Sequence, residues 1–395
     1  MAARPAFELA DAFRRHGESY KRANAGHLGR VERRVIGAVT TCRTAVLGGH
    51  VESCADCGLT RIAYNSCRNR HCPKCQGAAR TEWLAERQAE LLPVPYFHVV
   101  FTLPSAAAEI AFQNKQTVYA LLMRAAAQAL MTLAARRLSA RIGLIAVLHS
   151  WGQTLTHHPH VHCLVPGGGV ALDGQRWVVC KSNFFLSVYA LSKTFRRIFL
   201  EGLDAAFRRR ELGFFGDLAR LAEPVAFAER VRALRQSSFV VYAKPPFGGP
   251  ERVLAYLARY THRTAIANSR LVAVDDDEVS FSYKDYRRGG RSRVMRIAPH
   301  EFIRRFLLHV LPDGFHRIRH YGFLANDARG LNLARVRDLL ERQIGQEPGE
   351  GAAATADGEP TASAHDPFAA CPDCGGLMRR IGCIPAARAF HCDTS

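Results

Sequence analysis

Three groups of residues in this sequence have the types and spacing to do chemistry. The first lies in WGQTLTHHPHVHCLVPGG, Trp151 to Gly168, and centres on His160-Val161-His162. Pro159 fixes an extended entry, and Val161, Cys163, Leu164 and Val165 favour a strand. Residues two apart on a strand share a face, so His160 and His162 point the same way while Val161 turns into the core. Two imidazoles so placed can hold one divalent metal and leave positions open for a phosphate. Gln153, seven residues upstream of His160 and expected on the neighbouring strand, could supply a third, oxygen ligand. His157 and His158 are left out of this set, because Pro159 breaks the alternation.

The second group lies in PERVLAYLARYTHRT, Pro250 to Thr264. Gly248-Gly249 breaks the chain just before it, Pro250 suits a first helical position, and the apolar spacing is helical. On that helix Arg252, Tyr256, Arg259, Tyr260 and Arg263 fall on one stripe, opposite Val253, Leu254, Leu257 and Ala258. A phenol is a competent nucleophile toward phosphorus when a metal or cation stabilises its anion. The three arginines, Arg252, Arg259 and Arg263, would hold phosphates beside it.

The third group is built of cysteines. Cys54-x2-Cys57 and Cys72-x2-Cys75 are two C-x2-C pairs. Each pair forms a tight turn giving two thiolates, and two such turns close a tetrahedron, so one structural Zn²⁺ site is expected on these four residues. Cys67, His71 and His50 are left over, able either to replace one ligand or to serve as plain structural residues, and a second full zinc site in this region is not expected. Arg61, Arg68, Asn69, Arg70 and Lys74 make the module basic. Near the end of the chain Cys371-x2-Cys374 precedes Cys383, His391 and Cys392 with irregular spacing, and could form a small zinc knuckle.

These groups must be positioned by regular elements. Residues 1–45 read as a basic helical lead-in. Thr81 to Leu92 reads as a helix ended by Pro93 and Pro95, and Tyr96 to Thr102 as a first strand. Ala106 to Arg137 reads as Ala/Leu-rich helix covering the sheet, and Gly143 to Trp151 as a strand hairpinned to the histidine strand. Leu191 to Arg210 reads as a basic helix, and Ser238 to Tyr242 as a strand ending at Pro245-Pro246. Leu271 to Val274 and Val279 to Tyr283 form a hairpin around an acidic turn. Basic and aromatic residues follow from Tyr286 to Arg293, a mixture that suits single-stranded nucleic acid. The order fits an α+β domain with an antiparallel sheet and helices largely on one side.

Composition narrows the class. The 395 residues are 48% apolar, enough for more than one core. Lys and Arg number 54 against 35 Asp and Glu, net +19, which points to a polyanionic partner. Arg far outnumbers Lys, which suits bidentate phosphate contacts. Charges interrupt the first twenty residues, so no secretory signal is read, and no uncharged run reaches the roughly 20 residues that span a bilayer. A cytoplasmic, nucleoid-associated protein is expected. No nucleotide-binding glycine loop is evident.

An H-x-H strand followed by a Tyr-x3-Tyr helix resembles the two-tyrosine class of the HUH superfamily of single-strand nucleases. YNSCRNRHCPKCQ (Tyr64 to Gln76), PYFHVVFTLP (Pro95 to Pro104), HPHVHCLVPGGG (His158 to Gly169) and YLARYTHR (Tyr256 to Arg263) resemble, in order, segments of the transposases of bacterial rolling-circle insertion sequences. The resemblance spans roughly Gly48 to Leu340. It implies a ferredoxin-like nuclease domain with the H-x-H on a central strand. It also implies Mg²⁺ or Mn²⁺ on His160 and His162, attack by Tyr256 or Tyr260 to give a 5′-phosphotyrosine, and single-stranded element ends and target DNA as partners. Two tyrosines on one chain do not require a dimer, so a monomer or weak oligomer is expected. The domains then read 1–45 lead-in, 46–92 zinc module and helix, 93–285 nuclease domain with its tyrosine helix, 286–344 basic DNA-contacting region, 345–366 linker and 367–395 Cys-rich tail. A rolling-circle replication initiator or relaxase shares the chemistry, and a non-catalytic zinc-dependent DNA-binding protein shares the composition.

Overall fold

The computed structural model describes residues 5–181, 185–247, 253, 264–344 and 370–387. Its centre is a five-stranded antiparallel sheet formed by β3 (Tyr96–Thr102), β5 (Gly143–Trp151), β6 (His157–Pro166), β9 (Val241–Phe247) and β13 (Ile318–Gly322), in the order β13-β5-β6-β3-β9. The histidine strand β6 is therefore the middle one. β9 runs on through Pro245 and Pro246, past the end expected from the sequence. Among the described residues it is an edge strand paired with β3 alone, and an edge tolerates the missing N–H groups of proline. The opposite edge, β13, comes from beyond residue 285, so the sheet draws on the segment assigned in sequence to a separate C-terminal region.

Alternation along β6 divides the sheet into two faces. Val161, Cys163 and Val165 pack with Val99, Phe101, Ala146 and Leu148 under α4 (Ser105–Gln113), α5 (Lys115–Arg137), α6 (Val188–Arg208) and α7 (Pro224–Gln236). α5 has the length and composition of a membrane-spanning helix. Its Leu122, Met123, Ala126 and Leu130 are instead fully covered in this core. The other face carries Leu164, Ile145, Val147 and Tyr96, which pack with Val253, Phe323, Leu324 and Val336 of α9 (Arg329–Ile344).

Two smaller units flank the sheet. α1 (Leu9–Ala23) opens with a capping box between Glu8 and Asp11. It packs on α2 (Arg30–Thr41) and, through Phe13 against Phe306, on α8 (Pro299–Leu307). That core continues into the sheet of β10 (Leu271–Val274), β11 (Val279–Asp285) and β12 (Arg291–Ile297). The second unit is the sheet β14-β1-β2, in which β1 (Gly49–Cys54) and β2 (Thr60–Tyr64) form a hairpin and β14 (Met378–Ile384) pairs antiparallel with β1. The described part of the Cys-rich tail, residues 370–387, is thus built into the N-terminal module. Helix α3 (Pro73–Gln88) starts eight residues earlier than the sequence reading, with Pro73 in its first turn. A short sheet of β4 (Ala140–Arg141), β7 (Gly168–Ala171) and β8 (Trp177–Val179) completes the strands.

One glycine holds the edge of the main sheet in place. Gly322 has φ +63°, and a Cβ there would meet the Ile142 carbonyl oxygen at 1.9 Å. Backbone cannot yield as a flexible side chain can. Gly322→Ala is therefore expected to destabilise the fold by about 2 kcal/mol or more, read as a lowered midpoint in urea. An unchanged midpoint would contradict the close approach.

Candidate metal centres

Register on the central sheet decides which side chains meet at the histidines. His160 lies directly opposite His149 of β5, and His162 opposite Val147. Directly opposed residues share a face, so the face bearing His160 and His162 also bears His149. Donor atoms of His149, His160 and His162 lie within 4.8 Å of one another, and the ring centroids are 4.6 to 5.5 Å apart. Three imidazoles converging at that distance fit one divalent ion, with coordination positions left over for oxygen ligands.

Partners outside the cluster orient these rings. His160 donates its Nδ1–H to the His158 carbonyl at 2.7 Å, which turns its Nε2 lone pair toward the cluster. His162 Nδ1 lies 2.9 Å from Nε2 of His98 on β3, and the two rings stack at 5.1 Å. When His162 donates in that bond, its Nε2 is the atom offered to a metal. His149 stacks on Trp151 with centroids 4.5 Å apart. Burial pushes His160 down to about 4 and His98 down to about 3, so both rings are neutral near pH 7, the form that ligates.

Gln153 does not join them. The β5–β6 hairpin turns between Gly152 and Thr156, closed by the Gly152 N–H to the Thr156 carbonyl at 3.0 Å, and this places Gln153 on the turn rather than on the strand. Its Oε1 accepts from the Lys284 backbone N–H at 3.5 Å, and its carbonyl accepts from Arg270. It lines a polar cleft of about 810 Å³ together with Arg80, Asn268, Arg270, Tyr283 and Tyr286. The turn is held further by Arg305 to the Thr154 carbonyl and by His309 to the Leu155 carbonyl. His157 faces away from the cluster and bonds the Tyr119 hydroxyl at 2.7 Å. His149 and His98 went unnoticed in sequence. The signal for His149 was the hairpin itself, since strands closing on a short turn place it across from His160.

Tyr256 and Tyr260, with Arg252, Arg259 and Arg263, lie outside the described residues. Val253 of the same segment is described. It is fully buried in the cluster of Leu164, Ile145 and Val147, on the face of the sheet that carries the histidines.

The cysteines correct the sequence reading. Cys54, Cys57, Cys72 and Cys75 do not form one site. Cys54 and Cys57 sit at the tip of the β1–β2 hairpin, whereas Cys72 caps α3 and Cys75 lies in its first turn. Five residue steps along β1 separate the tip from its base by about 17 Å, far beyond the span of one ion. Cys72 and Cys75 instead meet Cys42, at the end of α2, and Cys67, just after β2. Cys75 Sγ is 3.5 Å from both Cys42 Sγ and Cys67 Sγ, and all four residues are buried. Cys54 and Cys57 meet Cys371 and Cys374. Cys383 stands apart beside Arg380, while His391 and Cys392 are outside the described residues.

Convergent imidazoles on a sheet, attached to cysteine-built modules in a strongly basic chain, define a DNA-processing enzyme as the class of protein. The comparisons with known proteins agree. A family model described as "Putative transposase" matches residues 143–330, from the first residue of β5 to the start of α9. One described as an IS91 "Transposase zinc-binding domain" matches residues 12–103. The chain is 59% identical over 344 residues, 87% of its length and 86% of the relative's, to "Putative transposase y4qJ" of Sinorhizobium fredii (strain NBRC 101917 / NGR234). It is 27% identical over 322 residues, 80% and 76% of the two lengths, to the "Transposase for insertion sequence element IS801" of Pseudomonas savastanoi pv. phaseolicola. The chain belongs to the IS91-type transposase family.

Proposed function

We propose that the protein nicks and transfers single-stranded DNA at the ends of an insertion element by rolling-circle transposition, through a 5′-phosphotyrosine intermediate. The observation that carries this reading is the convergence of His149, His160 and His162 within 4.8 Å on one face of the central sheet. Strand order around the H-x-H strand supports a ferredoxin-like HUH domain as the scaffold. Mg²⁺ or Mn²⁺ on this donor set would polarise the scissile phosphate and stabilise the charge that develops on it.

The chain's own residues do the rest. The hydroxyl oxygen of Tyr256 or Tyr260 attacks phosphorus in line and loses its proton as the new P–O bond forms. The P–O3′ bond breaks, and the departing oxygen takes up a proton as the 3′-OH. The energy of the phosphodiester is kept in the tyrosyl ester, so no ATP is needed. The second tyrosine can cut another strand while the first ester is still held. Arg252, Arg259 and Arg263, spaced in sequence beside the tyrosines, would hold phosphates. Val253, buried three residues before Tyr256 on the histidine face, supports their meeting there. The cleft around Arg80, Arg270, Tyr283 and Tyr286 suits a single strand, with guanidinium groups for phosphates and rings for bases. Cys42, Cys67, Cys72 and Cys75 would hold a structural Zn²⁺ through four thiolates, leaving no open position for catalysis. The protein would act on DNA in the bacterial cytoplasm.

The test is incubation with labelled single-stranded DNA from the element's ends and Mn²⁺, followed by a denaturing gel and mass mapping. A 5′ adduct on Tyr256 or Tyr260, lost in His160→Ala, is expected. DNA binding without an adduct on correct end sequences would overturn the nuclease reading in favour of a non-catalytic DNA-binding protein.

A further inference from the structure

The cysteines at the hairpin tip stand in a turn that the chain builds twice. In the first turn the Cys54 N–H bonds the Leu59 carbonyl at 2.8 Å and the Gly58 N–H bonds the Cys54 carbonyl at 3.2 Å. In the second the Cys371 N–H bonds the Gly376 carbonyl at 2.7 Å and the Gly375 N–H bonds the Cys371 carbonyl at 2.9 Å. The residue after the second cysteine is glycine in both, with φ +73° at Gly58 and +77° at Gly375, a conformation that a Cβ disfavours. Backbone N–H groups also point at sulfur in both turns, from Asp56 to Cys54 Sγ and from Gly376 to Cys374 Sγ, each at 3.4 Å. Such donors favour the thiolate, the form that binds metal.

The sheet brings the two turns face to face. β14 pairs with β1 in a register that sets Cys54 against Met378, and the Ala55 N–H bonds the Leu377 carbonyl at 3.1 Å. Across the gap Cys54 Sγ is 3.5 Å from Cys374 Sγ, and Cys57 Sγ is 3.6 Å from Cys371 Sγ. All four sulfurs lie within 4.8 Å of one another. A disulfide would need about 2 Å. Four sulfurs about 2.3 Å from a central zinc stand roughly 3.8 Å apart in a tetrahedron, close to the separations found.

We propose that Cys54, Cys57, Cys371 and Cys374 form a second structural Zn²⁺ site, a clasp that fastens strand β14 to the N-terminal hairpin. Its halves are 314 to 320 residues apart in sequence. Cys371 and Cys374 lie beyond both spans matched by the transposase family models, so the N-terminal zinc-binding span holds only half of this centre. The other cluster, Cys42 with Cys67, Cys72 and Cys75, is complete within that span. The chain therefore carries two independent zinc ions, one closing the N-terminal module on itself and one joining it to the C-terminal strand.

Zinc stoichiometry of the purified full-length protein tests this, with metal content measured after removal of loosely bound ions. The wild type is expected to hold two zinc ions per chain. Cys371→Ser with Cys374→Ser should leave one, as should Cys54→Ser with Cys57→Ser. The quadruple variant should also leave one, because all four residues serve the same ion. One zinc in the wild type, or a further loss in the quadruple variant relative to either double, would overturn the proposal. A measurement on the wild type alone guards against variants that fail to fold. During graded chelation, thiol alkylation mapped by mass spectrometry should label Cys54, Cys57, Cys371 and Cys374 together. Labelling of Cys371 and Cys374 while Cys54 and Cys57 stay protected would equally overturn it.

Discussion

His149→Ala is expected to lower Mn²⁺-dependent cleavage of single-stranded end DNA by about 10³-fold, the cost of removing a group on which charge stabilisation at the phosphate depends. Gln153→Ala is expected to leave the Mn²⁺ concentration for half-maximal cleavage unchanged. The contrast follows from where the hairpin turns. His149 is the last residue of β5 in straight register with β6, opposite His160, and the register shifts between His149 and Trp151. Gln153 lies past that shift, bonded to the backbone of Lys284. The measurement is an Mn²⁺ titration of cleavage by wild type and both variants, with DNA binding followed in parallel. If Gln153→Ala shifted the metal dependence as much as His149→Ala does, the three-histidine assignment would fail. DNA affinity retained in His149→Ala would place its defect at the metal rather than in binding.

Much of this arrangement could be read from residue order, and the limits of that reading are physical. Alternation across His160-Val161-His162 gave the shared face, because a strand's period is fixed locally. The third donor depended on how many residues the turn consumes. A one-residue shift at Trp151 decides it, and no local periodicity encodes that shift. The cysteine pairs show the same division. Each C-x2-C turn is a local structure and was legible as a metal-binding half. Which halves share an ion depends on the length of the hairpin between them and on a strand more than 300 residues away. Likewise β13 contributes only five residues to the sheet, within the 286–344 region read from sequence as a basic DNA-contacting segment rather than as a strand edge.

Lowering the pH from 7.5 to 5.5 is expected to cost the fold roughly 4 kcal/mol through three buried histidines that are not among the converging ligands. Burial pushes His157 down to about 4, His309 to about 3 and His320 to about 4. Their neutral forms are held in place, His157 by Tyr119 and His309 by Ser150 and the Leu155 carbonyl. In the unfolded chain each titrates near 6.5, so below that value the unfolded state binds protons that the folded state refuses. Stability is therefore fully present above pH 6.5 and is lost as the pH falls toward 4, about 1.4 kcal/mol per histidine at pH 5.5. Glu301 offers no compensation in this window. Its pairing with Arg304 and Arg305 holds it at about 2, so its contribution is lost only below the ordinary carboxylate range. Urea midpoints at pH 7.5 and 5.5 in a zinc-containing buffer measure the effect. His309→Gln, neutral at both values, should flatten the dependence by about a third. Equal midpoints at the two pH values would mean that these histidines accept protons without the fold opening, and that their burial is looser than the packing around Tyr119 and Phe315 implies.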